Sequence, residues 1–282
     1  MSTKGKCLPS VSIMLVVSVL TAMGLAAPIT GYDTSAAVFP GFPATDSHAS
    51  QALVPRVAVV VDNLPPVQFS TGIALNPTGT VAWVTEEIVN NGRLVRVDLD
   101  SGTVDPVATG LNQPGQLVVS DTVAFVAGNI GTPVTLMRID LNNGMVTPVS
   151  NELGGGLSGV AVNSALTQAH VVNFGNGVLS RVDIDSSSPT FKQVTQVIGG
   201  LSGPRDIVID STGDIAYVTE QNAGRLVQAN INPASPDYGN ITLIVGGLGG
   251  PQGLTLDRSG DLVYLAETSS RELSVVDVDP GS

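Results

Sequence analysis

The stretch AWVTEEIVNNGRLVRVDL at 82–99 returns as AYVTEQNAGRLVQANI at 216–231. Repetition of this kind constrains a fold more tightly than composition does, because each copy must occupy an equivalent environment. Five segments share a common pattern: GIALNPTGTVAWVTE (72–86), QLVVSDTVAFVAG (116–128), GVAVNSALTQAHVVN (159–173), DIVIDSTGDIAYVTE (206–220) and GLTLDRSGDLVYLAE (253–267). With Ile73, Leu117, Val160, Ile207 and Leu254 taken as equivalent, the steps are 44, 43, 47 and 47 residues. That spacing matches propeller blades, which carry four strands per unit.

Each unit divides into short β-branched runs separated by turn residues. The first run (IAL, LVV, VAV, IVI, LTL) ends in polar turns such as NPTG, DSTG and DRSG. The second carries an aromatic or His residue (WVTE, FVAG, HVVN, YVTE, YLAE). The third is LVRVDL, LMRIDL, LSRVDI, LVQANI or LSVVDV, and the fourth leads through Gly or Pro into the next unit. No amphipathic helix of ordinary length fits between the runs. RVAVVVDNL (56–64) reads as a lone fourth strand ahead of the first unit, while the last unit stops after its third strand. Together these predict an all-β propeller of five four-stranded blades, with Arg56–Val61 pairing with Glu272–Val278 to close the ring and remove two exposed sheet edges. The alternative is a six-bladed ring with one unit missing.

PQGLTLDRSG (251–260), AYVTE at 216–220 and VYLAE followed by LSVVDVD resemble the NHL and YVTN groups of β-propeller proteins. The resemblance spans about residues 56–279 and implies the fold. It leaves function open, since such propellers serve as binding platforms, lyases and lactonases alike. A second resemblance is to the metal-dependent sugar lactonases of the gluconolactonase group, whose channel ligands Glu86, Asn173 and Glu220 could imitate. That group's Asp has no counterpart here, and its propellers have six blades.

Ahead of the repeats, Lys4 and Lys6 precede an uncharged apolar run, Val11 to Ala27, with small residues at its exit. This pattern predicts a secretory signal peptide over 1–27, a secreted protein starting between Ala26 and Ala37, and an extracellular or periplasmic destination. An uncleaved membrane anchor is the alternative, because the run is close to spanning length. Residues 28–55 mix Pro, Ala, Ser, Thr and Gly without period and read as a linker, leaving 56–282 as the propeller. The single cysteine, Cys7, lies ahead of the apolar run, so the processed chain has no thiol chemistry or disulfides. The formal charge of −12 becomes −14 without Lys4 and Lys6. A chain so acidic repels nucleic acid and anionic membranes at long range.

In a propeller, the loop into each innermost strand and the loop out of each second strand share one face. Two rings of residues therefore meet around that mouth of the channel. One is Thr71, Gly115, Ser158, Arg205 and Gln252, from which Thr71, Ser158, Arg205 and Gln252 are candidate ligand-binding groups. The other is Glu86, Gly128, Asn173, Glu220 and Glu267, from which Glu86, Asn173, Glu220 and Glu267 are candidate metal ligands. Three carboxylates about 8 Å apart at an effective dielectric near 20 would repel pairwise by roughly 2 kcal/mol. A hard cation such as Ca²⁺, Arg205, water or raised pKa values would relieve this. The plainer reading is that each Glu caps backbone N–H groups at its strand end. On the Ca²⁺ reading, millimolar Ca²⁺ raises the melting temperature, and Glu→Gln at two of the positions removes the rise.

Other polar residues take structural readings. His170 holds the position of Trp83, Phe125, Tyr217 and Tyr264 and is assigned to the core. The columns Asp98, Asp140, Asp183, Asn230, Asp277 and Asn76, Asn163, Asp210, Asp257 mark turns. The GLSG pairs at 156–159 and 200–203 do not complete a nucleophile-elbow motif. Asn240-Ile-Thr242 is a glycosylation sequon. The expectation is a monomeric, secreted, noncatalytic scaffold that binds an extracellular protein, glycan or small molecule on its channel face. The rival is a calcium-dependent lactonase-like hydrolase or lyase using the Glu ring, so whether the protein is an enzyme stays open.

Overall fold

The turn-bounded β-branched runs become strands β1 to β19, and the chain forms a five-bladed β-propeller. The computed structural model describes residues 69–76, 78–87, 91–128, 135–150, 153–279 and 281. Blade 1 holds β1 (Phe69–Leu75), β2 (Val81–Glu87), β3 (Gly92–Asp98) and β4 (Val104–Leu111). Blade 2 holds β5 (Pro114–Val119), β6 (Val123–Gly128), β7 (Thr135–Asp140) and β8 (Val146–Ser150). Blade 3 holds β9 (Leu157–Val162), β10 (Gln168–Asn173), β11 (Val178–Asp183) and β12 (Val194–Ile198). Blade 4 holds β13 (Pro204–Ile209), β14 (Ile215–Glu220), β15 (Arg225–Asn230) and β16 (Ile241–Gly246). Blade 5 shows β17 (Pro251–Leu256), β18 (Leu262–Glu267) and β19 (Glu272–Asp277) among the described residues. Arg56–Val61, the expected partner of β19, lies outside the described residues, as do the expected signal peptide and linker.

Every blade is an antiparallel meander in which consecutive strands pair. The innermost strands β1, β5, β9, β13 and β17 pack each on the next. Successive side chains point to opposite faces of a strand. A sheet sandwiched between two neighbours must be apolar on both faces, and all six residues of β6 are buried. Leu94, Leu136, Leu179 and Leu226 occupy one equivalent position on the third strands and are all 0% exposed. Leu273, their counterpart on β19, is 44% exposed, and Val275 beside it is 41% exposed. Among the described residues, the fifth blade therefore leaves exposed a leucine that the other four bury, and it sets Val275 where they carry the half-buried Arg96, Arg138, Arg181 and Gln228.

The Asx columns act locally. Asp210 Oδ1 accepts the backbone N–H groups of Gly213, Asp214 and Ile215, each at 3.0 Å. Asp257 repeats the arrangement with Gly260, Asp261 and Leu262, and Asn76 and Asn163 hold the matching turns in blades 1 and 3. A side-chain oxygen here substitutes for the backbone acceptors that a tight turn cannot supply.

The recurrent Thr-Glu pair that ends the second strands has a divided role. Thr85 Oγ1 donates to Gly115 O at 2.7 Å, and Thr219 Oγ1 donates to Gln252 O at 2.8 Å, each reaching the inner strand of the following blade. The glutamate turns inward on its own blade. One residue thus links neighbours while the next secures a loop.

Candidate functional site

Strand direction places the loops between blades and the β2–β3-type turns on one face, here the channel face. The first and third turns, with their Asp columns, lie on the opposite face. The channel face is consequently where the two expected rings sit.

Its carboxylates are already engaged. Glu86 and Glu220 are wholly buried and Glu267 almost so. Glu220 accepts the Ser202 N–H at 2.5 Å and the Arg225 Nε–H. Glu267 accepts the Gly249 N–H and the hydroxyls of Ser270 and Ser274. Asn173 plays the same part with an amide: its Nδ2 donates to Leu153 O at 2.6 Å, and its Oδ1 accepts the N–H groups of Gly175 and Asn176. In each case the side chain ties the loop arriving from the previous blade to the turn or strand that follows it. Burying a carboxylate without such partners would cost several kcal/mol. Glu86 pairs with Arg93 through Oε2, whereas its buried Oε1 has no partner among the described residues. No three His, Cys, Asp or Glu side chains converge as a metal-holding group among the described residues.

The inner ring is more varied. Thr71 lies on β1, with its side chain outside the described residues. Ser158 Oγ donates to Pro204 O of the next blade at 2.8 Å, a structural link like those of Thr85 and Thr219. The Gln252 backbone oxygen receives Thr219, and its side chain is partly exposed.

Arg205 differs from the rest. Its guanidinium lies over the Phe174 ring, with Cζ 4.0 Å from the centroid, and its Nε–H donates to Gln221 Oε1 at 2.7 Å. Phe174 belongs to the turn after β10, and Gln221 to the turn after β14. Two blades therefore fix one arginine. Gly203 makes the fit possible, because its φ of +63° suits glycine and a Cβ there would sit 3.0 Å from Phe174 Cε2. Partial burial lowers the Arg205 pKa from its usual value. Phe174 and Gln221 were not singled out by sequence, although Phe174 is an aromatic in a turn otherwise built from Asn and Gly.

Asp206 also escaped the sequence reading. It stands where the other inner strands have Gly72, Gln116, Gly159 and Gly253, a carboxylate in an otherwise apolar run. Burial pushes it up to about 7, against the opposing effect of the Leu254 and Ile207 N–H groups that its oxygens accept. The Leu254 bond crosses from blade 4 to blade 5. His170 is buried as expected, yet both ring nitrogens lack partners among the described residues. Burial, with help from the Arg181 charge, lowers its pKa to about 4.

A cavity of about 440 Å³ opens on blade 1 between Arg93, Val95, Ser101, Thr103, Val104 and Pro106. It contains none of Ser158, Arg205 or Gln252, and the channel mouth remains the stronger candidate because side chains from blades 3 and 4 meet there at Arg205.

No family model matches the chain, and no curated protein matches it by sequence. Solved structures do match in fold. A chain from a nidogen/laminin complex superposes with a TM-score of 0.64 at 13% identity, covering 77% of this chain and 79% of that one. A candidate 6-phosphogluconolactonase from Bacteroides uniformis superposes with a TM-score of 0.57 at 12% identity, covering 77% of this chain and 70% of that one. At such identities the likeness speaks for the propeller and for nothing finer.

Proposed function

We propose that the protein is a secreted, monomeric, noncatalytic binding scaffold that takes its ligand on the channel face. The observation that carries this reading is Arg205, held by Phe174 and Gln221, with no partner for its terminal nitrogens among the described residues. The carboxylates that a lactonase-like reading would need are committed to loops and to Arg93 and Arg225, which favours recognition over catalysis. The nidogen chain, from a complex with laminin, supports the further proposal that a protein partner is bound. The NHL or YVTN repeat type, a signal peptide over 1–27 and a linker over 28–55 belong to the same reading.

Screening the immobilised protein against arrays of extracellular proteins and glycans tests it. Binding is expected to fall at least tenfold in Arg205→Ala and to persist in Arg258→Glu, whose exposed side chain lies on the opposite face. Binding lost in Arg258→Glu and kept in Arg205→Ala would place the ligand elsewhere. Mass spectrometry of the exported protein is expected to find its first residue between Ala26 and Ala37. An intact Met1 in that fraction counts against signal cleavage.

A further inference from the structure

The geometry points to Arg205 as a preformed carboxylate receptor: it binds an acidic group on the surface of a protein partner at the mouth of the channel. This rests on the binding-scaffold reading and specifies the chemistry that the scaffold recognises.

Two contacts hold the guanidinium. Arginine offers five N–H donors in a planar fork. One of them, Nε–H, is used by Gln221 at 2.7 Å, and one face of the plane is covered by Phe174. Neither terminal nitrogen has a partner among the described residues, and neither is a buried unsatisfied group. The paired terminal N–H edge is therefore both solvent-accessible and fixed in direction. A flexible surface arginine would have to lose side-chain rotamer entropy on binding, on the order of 1 kcal/mol or more. Here the stack and the Gln221 bond have already removed that freedom. Restraints of this kind make little sense for a solubilising charge, which needs no orientation.

The surroundings then select the ligand. The neighbouring acids do not compete for Arg205, because Glu220 is taken by Ser202 and Arg225, and Asp206 is taken by backbone N–H groups of Ile207 and Leu254. Asp98, Asp140, Asp183, Asp210 and Asp257 lie on turns of the far face. Among the described residues no carboxylate pairs with Arg205, so its guanidinium keeps its charge for an incoming anion. The whole chain nevertheless carries −12, so a polyanion is repelled at distances where one arginine cannot compensate. A ligand with one local carboxylate avoids that penalty and gains paired, charge-assisted hydrogen bonds at contact.

A glycan fits less well. Sugar recognition by stacking needs an open aromatic face, and the face of Phe174 at this site is occupied by the guanidinium. The site supplies a fork instead of a platform. That matches a Glu or Asp side chain presented by a folded partner.

NMR of the arginine Nε–H signals in the full-length protein provides the test, with Arg205 assigned by the signal missing from Arg205→Lys. Sodium acetate and the peptide Ac-Gly-Glu-Gly-NH₂ are expected to shift this signal saturably. Ac-Gly-Gln-Gly-NH₂ is expected to leave it unmoved. Arg205→Lys keeps the charge but loses the fork and the guanidinium's contact with the Phe174 ring, so its affinity for the Glu peptide, read from neighbouring amides, should fall at least tenfold. Gln221→Leu keeps the arginine and releases its orientation, and a smaller loss is expected. Circular dichroism melting confirms that each variant is folded. Unchanged affinity in a folded Arg205→Lys overturns the receptor, since a mere charge would then suffice. Saturable shifts with glucuronate but none with the Glu peptide overturn it in favour of a glycan. Absence of any saturable shift overturns it outright. If a protein partner found by array binds Arg205→Lys as tightly as the parent, the scaffold reading survives and the carboxylate receptor does not. If the Glu peptide binds through Arg205 while channel-face variants leave all array binding intact, the scaffold reading fails and the protein-partner assignment is overturned with it, although the carboxylate chemistry of Arg205 is real.

Discussion

Between about pH 4 and 6.5 the unfolding free energy of the parent protein is expected to be nearly flat, while His170→Phe and Asp206→Asn tilt in opposite directions. The cause is a pair of buried groups whose proton affinities folding shifts in opposite senses. His170 falls from 6.5 to about 4, so across that window the unfolded chain binds the extra proton. Its contribution is fully present above about 6.5 and is lost as the pH falls towards 4. Asp206 rises from 3.8 to about 7, so there the folded chain binds the extra proton. Its contribution is present below about 3.8 and is lost as the pH rises towards 7. Each group changes stability by about 1.4 kcal/mol per pH unit inside its window, and the two slopes cancel where the windows overlap.

Removing either group exposes the other. His170→Phe should be stabilised relative to the parent by about 2 kcal/mol at pH 5 from the proton linkage alone. Removing two buried ring nitrogens that have no partner among the described residues adds about 1–3 kcal/mol. Phe125 shows that the column accepts this side chain, since it occupies the equivalent position on β6 and is buried. Asp206→Asn should gain on the parent by roughly 3–4 kcal/mol between pH 4 and pH 8, whatever its offset. An offset is expected, because an amide presents an NH₂ group to one of the two N–H donors that Asp206 now accepts. Urea titrations at pH 4, 5, 6, 7 and 8 would decide. Parallel pH profiles for the parent and both variants would show that neither group is shifted as its burial implies.

The second large effect contrasts two leucines at one repeat position. Leu226→Ala is expected to cost about 2–5 kcal/mol, the range for emptying a filled core site. Leu226 packs between blades 4 and 5 with Tyr217, Leu254, Val263 and Leu265. Leu273→Ala should cost under about 1 kcal/mol, because a side chain with this much exposure has less burial to lose. Denaturant midpoints at constant m-value measure both. Equal losses would mean that the flank of blade 5 is covered in solution, and a larger m-value change in Leu273→Ala would point the same way.

The propeller was legible because its instructions are local and repeated. Alternating β-branched residues specify strands, and Asn or Asp at a turn completes its hydrogen bonds within about five residues, as Asp210 and Asp257 do. His170 could be assigned to the core because four aromatic residues share its position. The candidate site was legible only in outline. Register and strand direction placed Arg205 at the channel mouth, but its significance depends on Phe174 and Gln221, which come from two different blades.

The recurring glutamates carry the same lesson. Sequence aligned Glu86, Glu220 and Glu267 in one column, from which a shared metal ring and separate backbone caps were both reasonable readings. Geometry decides what each touches: Glu220 meets Ser202, and Glu267 meets Gly249, each 18 residues earlier in the chain. Asp206 reaches 48 residues forward to Leu254. Periodicity and turn chemistry, being short-range, determine the blades from sequence alone. The partner and protonation of a buried charge depend on which distant backbone groups packing brings to it, and only the tertiary structure supplies them.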